Sequence, residues 1–328
     1  GGVGKEMTRQ LLERSGVEPD EAKIISDHLV ESNLSGHDSH GVIRVPGYVQ
    51  HAQKGMPSAS EYEVVKETPT TAIIDAKGAI GIVPAKMAME MAIQKAQACT
   101  FGAVGVHRAG HTGRLGAYPP LAVAQGLIGI CLLNGGSRFT APFGGTSRRL
   151  PPNPISAAVP RKGGEPVVLD MTTSVVAGGK IDLKRVRGEP LPEGWMIDAD
   201  AGPFTDASGF RHGMGAVLPL GGLQFGHKGF GLGFLVDCLA GGLTWAGCSQ
   251  DKPTRGGNGF LAMAIKIEDF IPVAAFESEI EALIKWVKSS EKIPGVDEIY
   301  IPGEVEQRAW QQREQAGIPV DEETWDGL

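Results

Sequence analysis

Between residues 71 and 133 short apolar runs alternate with longer stretches of helical periodicity, and that alternation leaves the chain few architectures to choose from. The runs at 71–74, 103–106 and 127–133 have the length and composition of strands, whereas 80–98 and 115–124 carry apolar residues at helical spacing. Strand, helix, strand, helix, strand is the order of an α/β domain, in which helices cover the faces of a sheet. Upstream, Leu11, Leu12, Ile24, Ile25, Leu29 and Val30 recur at helical spacing, and Val17-Glu18-Pro19-Asp20 supplies a break with a proline near the next helix start. A helical layer is therefore predicted for about the first fifty residues.

A Gly/Pro/Ser/Thr-rich stretch from Asn134 to residue 154 reads as a long loop, a feature that is more often functional than idle in a compact domain. Apolar runs at 155–159 and 167–169 follow, then a loop-rich segment at 184–222, a buried helix at 229–243 and a strand at 261–267. Amphipathic helices are expected around 280–287 and 305–314. With 328 residues there is ample core for independent folding. The net charge of −7 comes from 31 basic and 38 acidic residues mixed along the chain, which argues against nucleic acid as a partner. Apolar stretches are interrupted well before the ~20 residues a membrane span needs, and no signal-peptide layout opens the sequence, so a cytoplasmic protein without a membrane partner is expected. Four cysteines stand apart with no CxxC spacing, and Cys99 and Cys131 read as small buried side chains. The 47 glycines, about twice the usual share, imply many tight turns and close backbone approaches.

Several motifs fail on inspection. Gly1-Gly2-Val3-Gly4-Lys5-Glu6 lacks a preceding strand and places Glu6 where a phosphate loop needs Ser or Thr. Gly229-Phe230-Gly231-Leu232-Gly233-Phe234 lacks the last glycine of the dinucleotide fingerprint. His37 and His40 have no evident third ligand for a metal, so none is expected, and Ser39 beside His40 diverges from it on a helix rather than forming a hydrolase pair.

Oxidising a 2-hydroxy acid requires a cation for the carboxylate, a base for the hydroxyl proton and a nicotinamide for the hydride. If the run from Ser39 to Tyr48 is helical, His40, Arg44 and Tyr48 fall on one face at i, i+4 and i+8, although Pro46 and Gly47 weaken a regular helix there. A solvated surface helix accounts for that spacing equally well. His107-Arg108-Ala109-Gly110-His111-Thr112-Gly113-Arg114 leaves the 103–106 strand, where α/β proteins commonly keep ligands. Asp170-Met171-Thr172-Thr173-Ser174 leaves another strand toward an expected helix, whose first amides could receive a phosphate or simply be capped. Gly226-His227-Lys228-Gly229 offers a cation at the start of the 229–243 helix.

Taken in order, Ser39-His40-Gly41 with Arg44 and Tyr48, Gly110-His111-Thr112-Gly113, Ala141-Pro142-Phe143-Gly144-Gly145, Asn153-Pro154-Ile155-Ser156, Leu169-Asp170-Met171-Thr172-Thr173-Ser174, Pro192-Glu193-Gly194-Trp195 and Gly226-His227-Lys228-Gly229 resemble the malate/L-lactate dehydrogenase family over nearly the whole chain. That family also includes sulfolactate and ureidoglycolate dehydrogenases, diketogulonate reductase and cyclic imino-acid reductase. The resemblance implies a three-layer α/β/α cofactor domain with a mixed, non-Rossmann sheet at 66–274, and a helical domain formed by 1–65 with 275–328. It implies NAD or NADP as cofactor, a small 2-hydroxy or 2-keto acid as substrate, and active sites at a homodimer interface. By the same resemblance His40 and His111 are the proton-handling candidates, with Asp170 also in the catalytic set. Ser39, Arg44 and Tyr48 match the substrate site. Asn134, Asp170, Met171, Thr172, Thr173, Ser174, His227 and Lys228 match cofactor segments, as do Gly303 and Glu304 of Pro302-Gly303-Glu304. Departures from the family include Arg114 and Arg138, two cations that suggest a substrate with an extra anionic group. An NADPH-dependent reductase of cyclic imino acids and a catalytically inactive nucleotide-binding protein are the alternative expectations.

Overall fold

Alanines at positions 85, 88, 92 and 96 line one side of the helix Ile82–Cys99, and Gly102 is the second residue of the strand that follows it. Small side chains let the helix lie unusually close to the sheet: a Cβ at Gly102 would stand 2.0 Å from the carbonyl oxygen of Ala92. In the computed structural model, which describes residues 2–252, 255–320 and 325, this contact sits at the centre of the main core.

The helices are α1 (Gly2–Arg14), α2 (Pro19–Leu34), α3 (Val45–Gln53), α4 (Ile82–Cys99), α5 (Pro119–Val123), α6 (Gly178–Val186), α7 (Ala207–Arg211), α8 (Gly222–Val236), α9 (Val273–Lys288) and α10 (Glu304–Ala316). The strands are β1 (Glu63–Glu67), β2 (Thr71–Asp75), β3 (Phe101–Ala109), β4 (Leu127–Asn134), β5 (Ile155–Val159), β6 (Val167–Met171), β7 (Met196–Ile197), β8 (Ala216–Val217) and β9 (Asn258–Lys266). Seven strands form one mixed sheet in the order β1-β2-β3-β9-β4-β5-β6, and β7 pairs with β8 in a small ribbon. Only β2 and β3 are parallel neighbours, with α4 as the crossover that a parallel pair requires. All other pairs are antiparallel, because β9 inserts between β3 and β4 and runs against both.

The predicted alternation is present, and the strand order is set by long-range pairing. The 115–124 stretch divides into a 3₁₀ turn, Leu115–Ala117, and the short α5, broken by Pro119 and Pro120. The loop-rich 184–222 segment holds α7, β7 and β8, which with α6 enclose a satellite core of Phe139, Ile181, Met196, Phe210 and Val217. At the other end, α1, α2 and α3 bury Leu12, Ile25, Leu29 and Tyr48, and Trp310, Ile318 and Val320 from the C-terminal region pack on the same cluster.

Two burial expectations are corrected. The 229–243 run belongs to a helix that begins at Gly222 and passes into a π-helical turn, Asp237–Leu243. Its inward face is glycine, with Gly226, Gly229 and Gly233 against the protein, while Leu223, Phe225, Phe234 and Leu235 face outward. A Cβ at Gly229 would lie 2.4 Å from the Leu220 backbone, so bulk is sterically excluded from the inner face and collects on the outer one. Cys131 is fully buried in β4, but Cys99, the last residue of α4, is exposed.

Candidate active site

Asn33, buried near the end of α2, shapes the turn that carries the Ser-His-Gly motif. Its amide donates to Asp38 Oδ1 at 2.7 Å, and its Oδ1 accepts from the Val42 amide at 2.8 Å. Gly41 is required between them, since a Cβ there would stand 2.1 Å from Asn33 Oδ1. The consequence is a correction: residues 39–48 are not one helix. They form two 3₁₀ turns, Asp38–His40 and Val42–Arg44, separated by extended backbone at Gly41, before α3 starts with Pro46 in its first turn.

The residues nevertheless meet, on His111. The His40 ring stacks on that of His111 with centroids 5.5 Å apart, and the Tyr48 hydroxyl lies 2.7 Å from His111 Nδ1. Contrary to the divergence expected on a helix, the turn brings Ser39 Oγ to 3.0 Å from His40 Nδ1, and the Arg44 side chain donates from Nε to the Ser39 carbonyl at 2.7 Å. His111 rides on the loop after β3, which His28 pins from α2 by accepting the Arg114 amide at 2.8 Å. His28 also stacks on Tyr118, whose hydroxyl donates to the Thr112 carbonyl.

Burial with cationic neighbours keeps these imidazoles neutral. His28 is pushed down to about 3 by burial, with Arg114 and His40 adding to it. His40 falls to about 4 through burial, Arg44 and His37, and His111 goes well below its ordinary value through burial, His40 and Arg44. Burial raises the Tyr48 phenol well above its usual value, so it keeps its proton.

A cavity of about 640 Å³ opens on this group, lined by His111, Tyr48 and Arg44 together with Lys77, Arg108 and Arg255. A second, of about 530 Å³, holds Arg114, Asp170, Gly303 and Glu306. Asp170 Oδ2 accepts the Gly116 amide at 2.9 Å. Burial lifts its carboxyl above the ordinary range, while Arg114 opposes that shift. The Pro302 carbonyl accepts from the Val168 amide at 3.0 Å, which ties Gly303 to β6. Arg114 thus stands between the two groups, influencing both His40 and Asp170. Its buried Nε has no hydrogen-bond partner among the described residues.

Other candidates lie elsewhere. The strand bearing Asp170 and Met171 does not lead straight into a helix, because α6 starts only at Gly178, so Thr172, Thr173 and Ser174 form no helix N-terminus for a phosphate. Their hydroxyls are spent on the backbone: Thr173 on Pro152 at 2.9 Å, Ser174 on Val176 at 2.8 Å and Thr172 on Ser174 at 3.1 Å. His227 and Lys228 sit within α8 rather than at its start, against Phe143 and Phe225 respectively. Glu304 pairs with Lys288 at 2.8 Å, and Asn134 is buried at the end of β4 with no hydrogen-bond partner for its amide nitrogen among the described residues. Arg138 is half-buried in the loop after β4 and lines neither cavity. His37 contacts Glu306 at 3.3 Å. Sequence reasoning missed His28, Lys77 and Arg255; the glycines at 78, 256 and 257 beside the two cations were the available signal, and a lone helical histidine gives none.

Residues 4–328 match the family model described as malate/L-lactate dehydrogenase. The malate dehydrogenase of Pyrococcus horikoshii is 38% identical over 95% of this chain and 88% of its own length. Its structure superposes with a TM-score of 0.88, covering 99% of this chain and 91% of that one. The L-sulfolactate dehydrogenase of Methanocaldococcus jannaschii is 36% identical over 99% of this chain and 93% of its own. The delta1-piperideine-2-carboxylate reductase structure from Pseudomonas syringae pvar. tomato, 25% identical, gives a TM-score of 0.84 over 98% of this chain and 96% of that one. With its seven-stranded mixed sheet and its converging His, Tyr and Arg side chains, this chain belongs to the malate/L-lactate dehydrogenase family and is an oxidoreductase of the malate or lactate dehydrogenase kind.

Proposed function

We propose that the 640 Å³ cavity binds a small 2-hydroxy acid or its 2-keto acid, with Arg44 holding the carboxylate and His111 exchanging the hydroxyl proton. The observation that carries this reading is the 2.7 Å contact between Tyr48 and His111 beside the Arg44 guanidinium. Arg44 uses Nε on Ser39, leaving its terminal nitrogens for a two-pronged grip on a carboxylate. With Nδ1–H donating to the Tyr48 oxygen, the Nε2 of a neutral His111 is a base for the substrate hydroxyl and becomes an imidazolium as it takes the proton; in the reverse direction that imidazolium returns the Nε2 proton to the keto oxygen as the hydride arrives at carbon, with the Tyr48 contact kept throughout. His40, stacked on His111 and bonded to Ser39, disfavours a second positive charge and keeps the pair able to accept a single proton.

Arg114, Asp170 and Gly303 suit a nicotinamide dinucleotide, NAD or NADP: the unpartnered Arg114 Nε offers a buried donor, and Asp170 an acceptor for a ribose hydroxyl. The bound nicotinamide supplies the hydride chemistry that the side chains lack. Catalysis by His40 or Asp170 is the competing assignment. Residues 1–65 and 275–328 form the helical domain in this reading, and 66–274 a three-layer α/β/α cofactor domain. A homodimer covers the outer face of α8, where Leu223, Phe234 and Leu235 are each more than half exposed, an apolar concentration seldom left in water.

The test is a panel of 2-hydroxy, 2-keto and cyclic imino acids with both nicotinamides. Reduction of a 2-keto acid is expected, together with a fall in kcat of about 10²–10⁴ in His111→Ala at unchanged cofactor binding measured by fluorescence. Turnover of imino acids alone, or a His111→Ala variant with wild-type kcat, overturns it.

A further inference from the structure

The cavity that carries His111 is lined by more positive charge than one carboxylate needs. Arg44, Lys77, Arg108 and Arg255 all line it, and among the described residues no carboxylate does. Two of these cations are already committed. Arg108 donates to Asp75 Oδ1 at 2.8 Å from Nε and again to Oδ2 from a terminal nitrogen, and Lys77 reaches Glu63 at 3.7 Å. Arg44 is assigned above to the substrate carboxylate. Arg255 is different: its guanidinium lies 3.6 Å over the Trp245 ring, and no described carboxylate pairs with it. Stacking fixes the plane of a guanidinium while leaving its N–H edge available for a planar anion.

The backbone around Arg255 is built at a cost. Lys77 has φ 52°, Arg108 φ 52° and Trp245 φ 71°, three of the six described non-glycine residues in the left-handed region. Two of them line the cavity and the third carries Arg255, and strain of this kind persists where surrounding structure enforces it, often at ligand sites. Asp75 enforces part of it by binding Arg108 and accepting the Lys77 amide at 2.9 Å. Gly257 enforces more, since a Cβ there would meet Arg108 Cα at 2.9 Å. The sheet register puts Arg255 on the side of the reacting centre: Ala109, two residues before His111, pairs with Asn258, three residues after Arg255.

We infer that Arg255 binds a second anionic group at the far end of the substrate and makes the enzyme selective for dianionic 2-hydroxy acids over monoanionic ones. This places the extra charge on Arg255 rather than on Arg114, which faces Asp170, or on Arg138, which lines neither cavity. The inference rests on the substrate cavity proposed above.

The experiment compares kcat/KM for L-malate and L-lactate in the wild type, Arg255→Ala and Arg255→Lys, with NADH and NADPH binding followed by fluorescence. Wild type is expected to favour malate. Arg255→Ala should lose about 10- to 100-fold on malate and under about threefold on lactate, in line with the loss of hydrogen bonds to a charged group. Arg255→Lys should retain part of the preference. Equal losses on both acids, or a wild type indifferent between them, overturn the inference while leaving the dehydrogenase reading intact. Weakened NADPH binding with unchanged NADH binding also overturns it, assigning Arg255 to a cofactor phosphate. A wild type inactive on every 2-hydroxy and 2-keto acid brings down both readings together.

Discussion

Acidification should unfold this protein through its buried histidines, and His28 allows the effect to be isolated. Its imidazole accepts the Arg114 amide as a neutral group and titrates at about 3 in the fold, against an ordinary value of 6.5. As pH falls below 6.5 the unfolded chain takes up a proton that the folded chain refuses, so stability declines through the window from 6.5 down to about 3. At pH 5 the gap is about 1.5 pH units, and at about 1.36 kcal/mol per unit the loss through His28 is about 2 kcal/mol. His40, at about 4, contributes by the same mechanism. Such losses are a large fraction of the roughly 5–15 kcal/mol that holds a domain folded. The assay is urea unfolding at pH 7, 6 and 5 for wild type and His28→Gln. The variant loses the stacking on Tyr118 at every pH, a constant offset, but its stability should fall less steeply by about 2 kcal/mol between pH 7 and 5. Parallel pH dependences in the two proteins would refute a neutral, buried His28.

Arg44→Lys should raise KM for a 2-keto acid by about tenfold or more, since an ammonium cannot reproduce the two-pronged grip, while a fluorescence titration shows cofactor affinity unchanged. Gly229→Ala should destabilise by at least about 1–3 kcal/mol in chemical denaturation, because its Cβ would enter the Leu220 backbone 2.4 Å away; a wild-type midpoint would mean that α8 does not pack as described.

The strands at 71–74, 103–106 and 127–133 were legible because hydrophobic periodicity is a local property, and β2, β3 and β4 appear there with boundaries shifted by at most three residues. Their neighbours were not legible. Strand β9 lies about 150 residues after β3 in the chain and between β3 and β4 in the sheet, a pairing set by packing rather than by any residue of its own. The helix at 229–243 misled for a related reason: hydrophobicity was read as burial, whereas the glycines decide which side faces inward. At the site, Ser39, His40, Arg44, Tyr48 and His111 were all named from sequence, but for the wrong geometry. Two turns broken at Gly41 bring His40 and Tyr48 onto His111, whereas the spacing could align them with Arg44 only if the run were one helix.

The residue types alone determined the chemistry on offer: imidazoles, a phenol and guanidiniums, in an order of motifs that identifies the family. Their protonation and their partners were decided by tertiary structure. Burial against Arg44 and Arg114 makes the three histidines neutral, and β3 beside β9 brings Arg255 to the side of His111. Electrostatic shifts and cavities depend on distances between residues remote in sequence, and such distances exist only once the sheet has chosen its order.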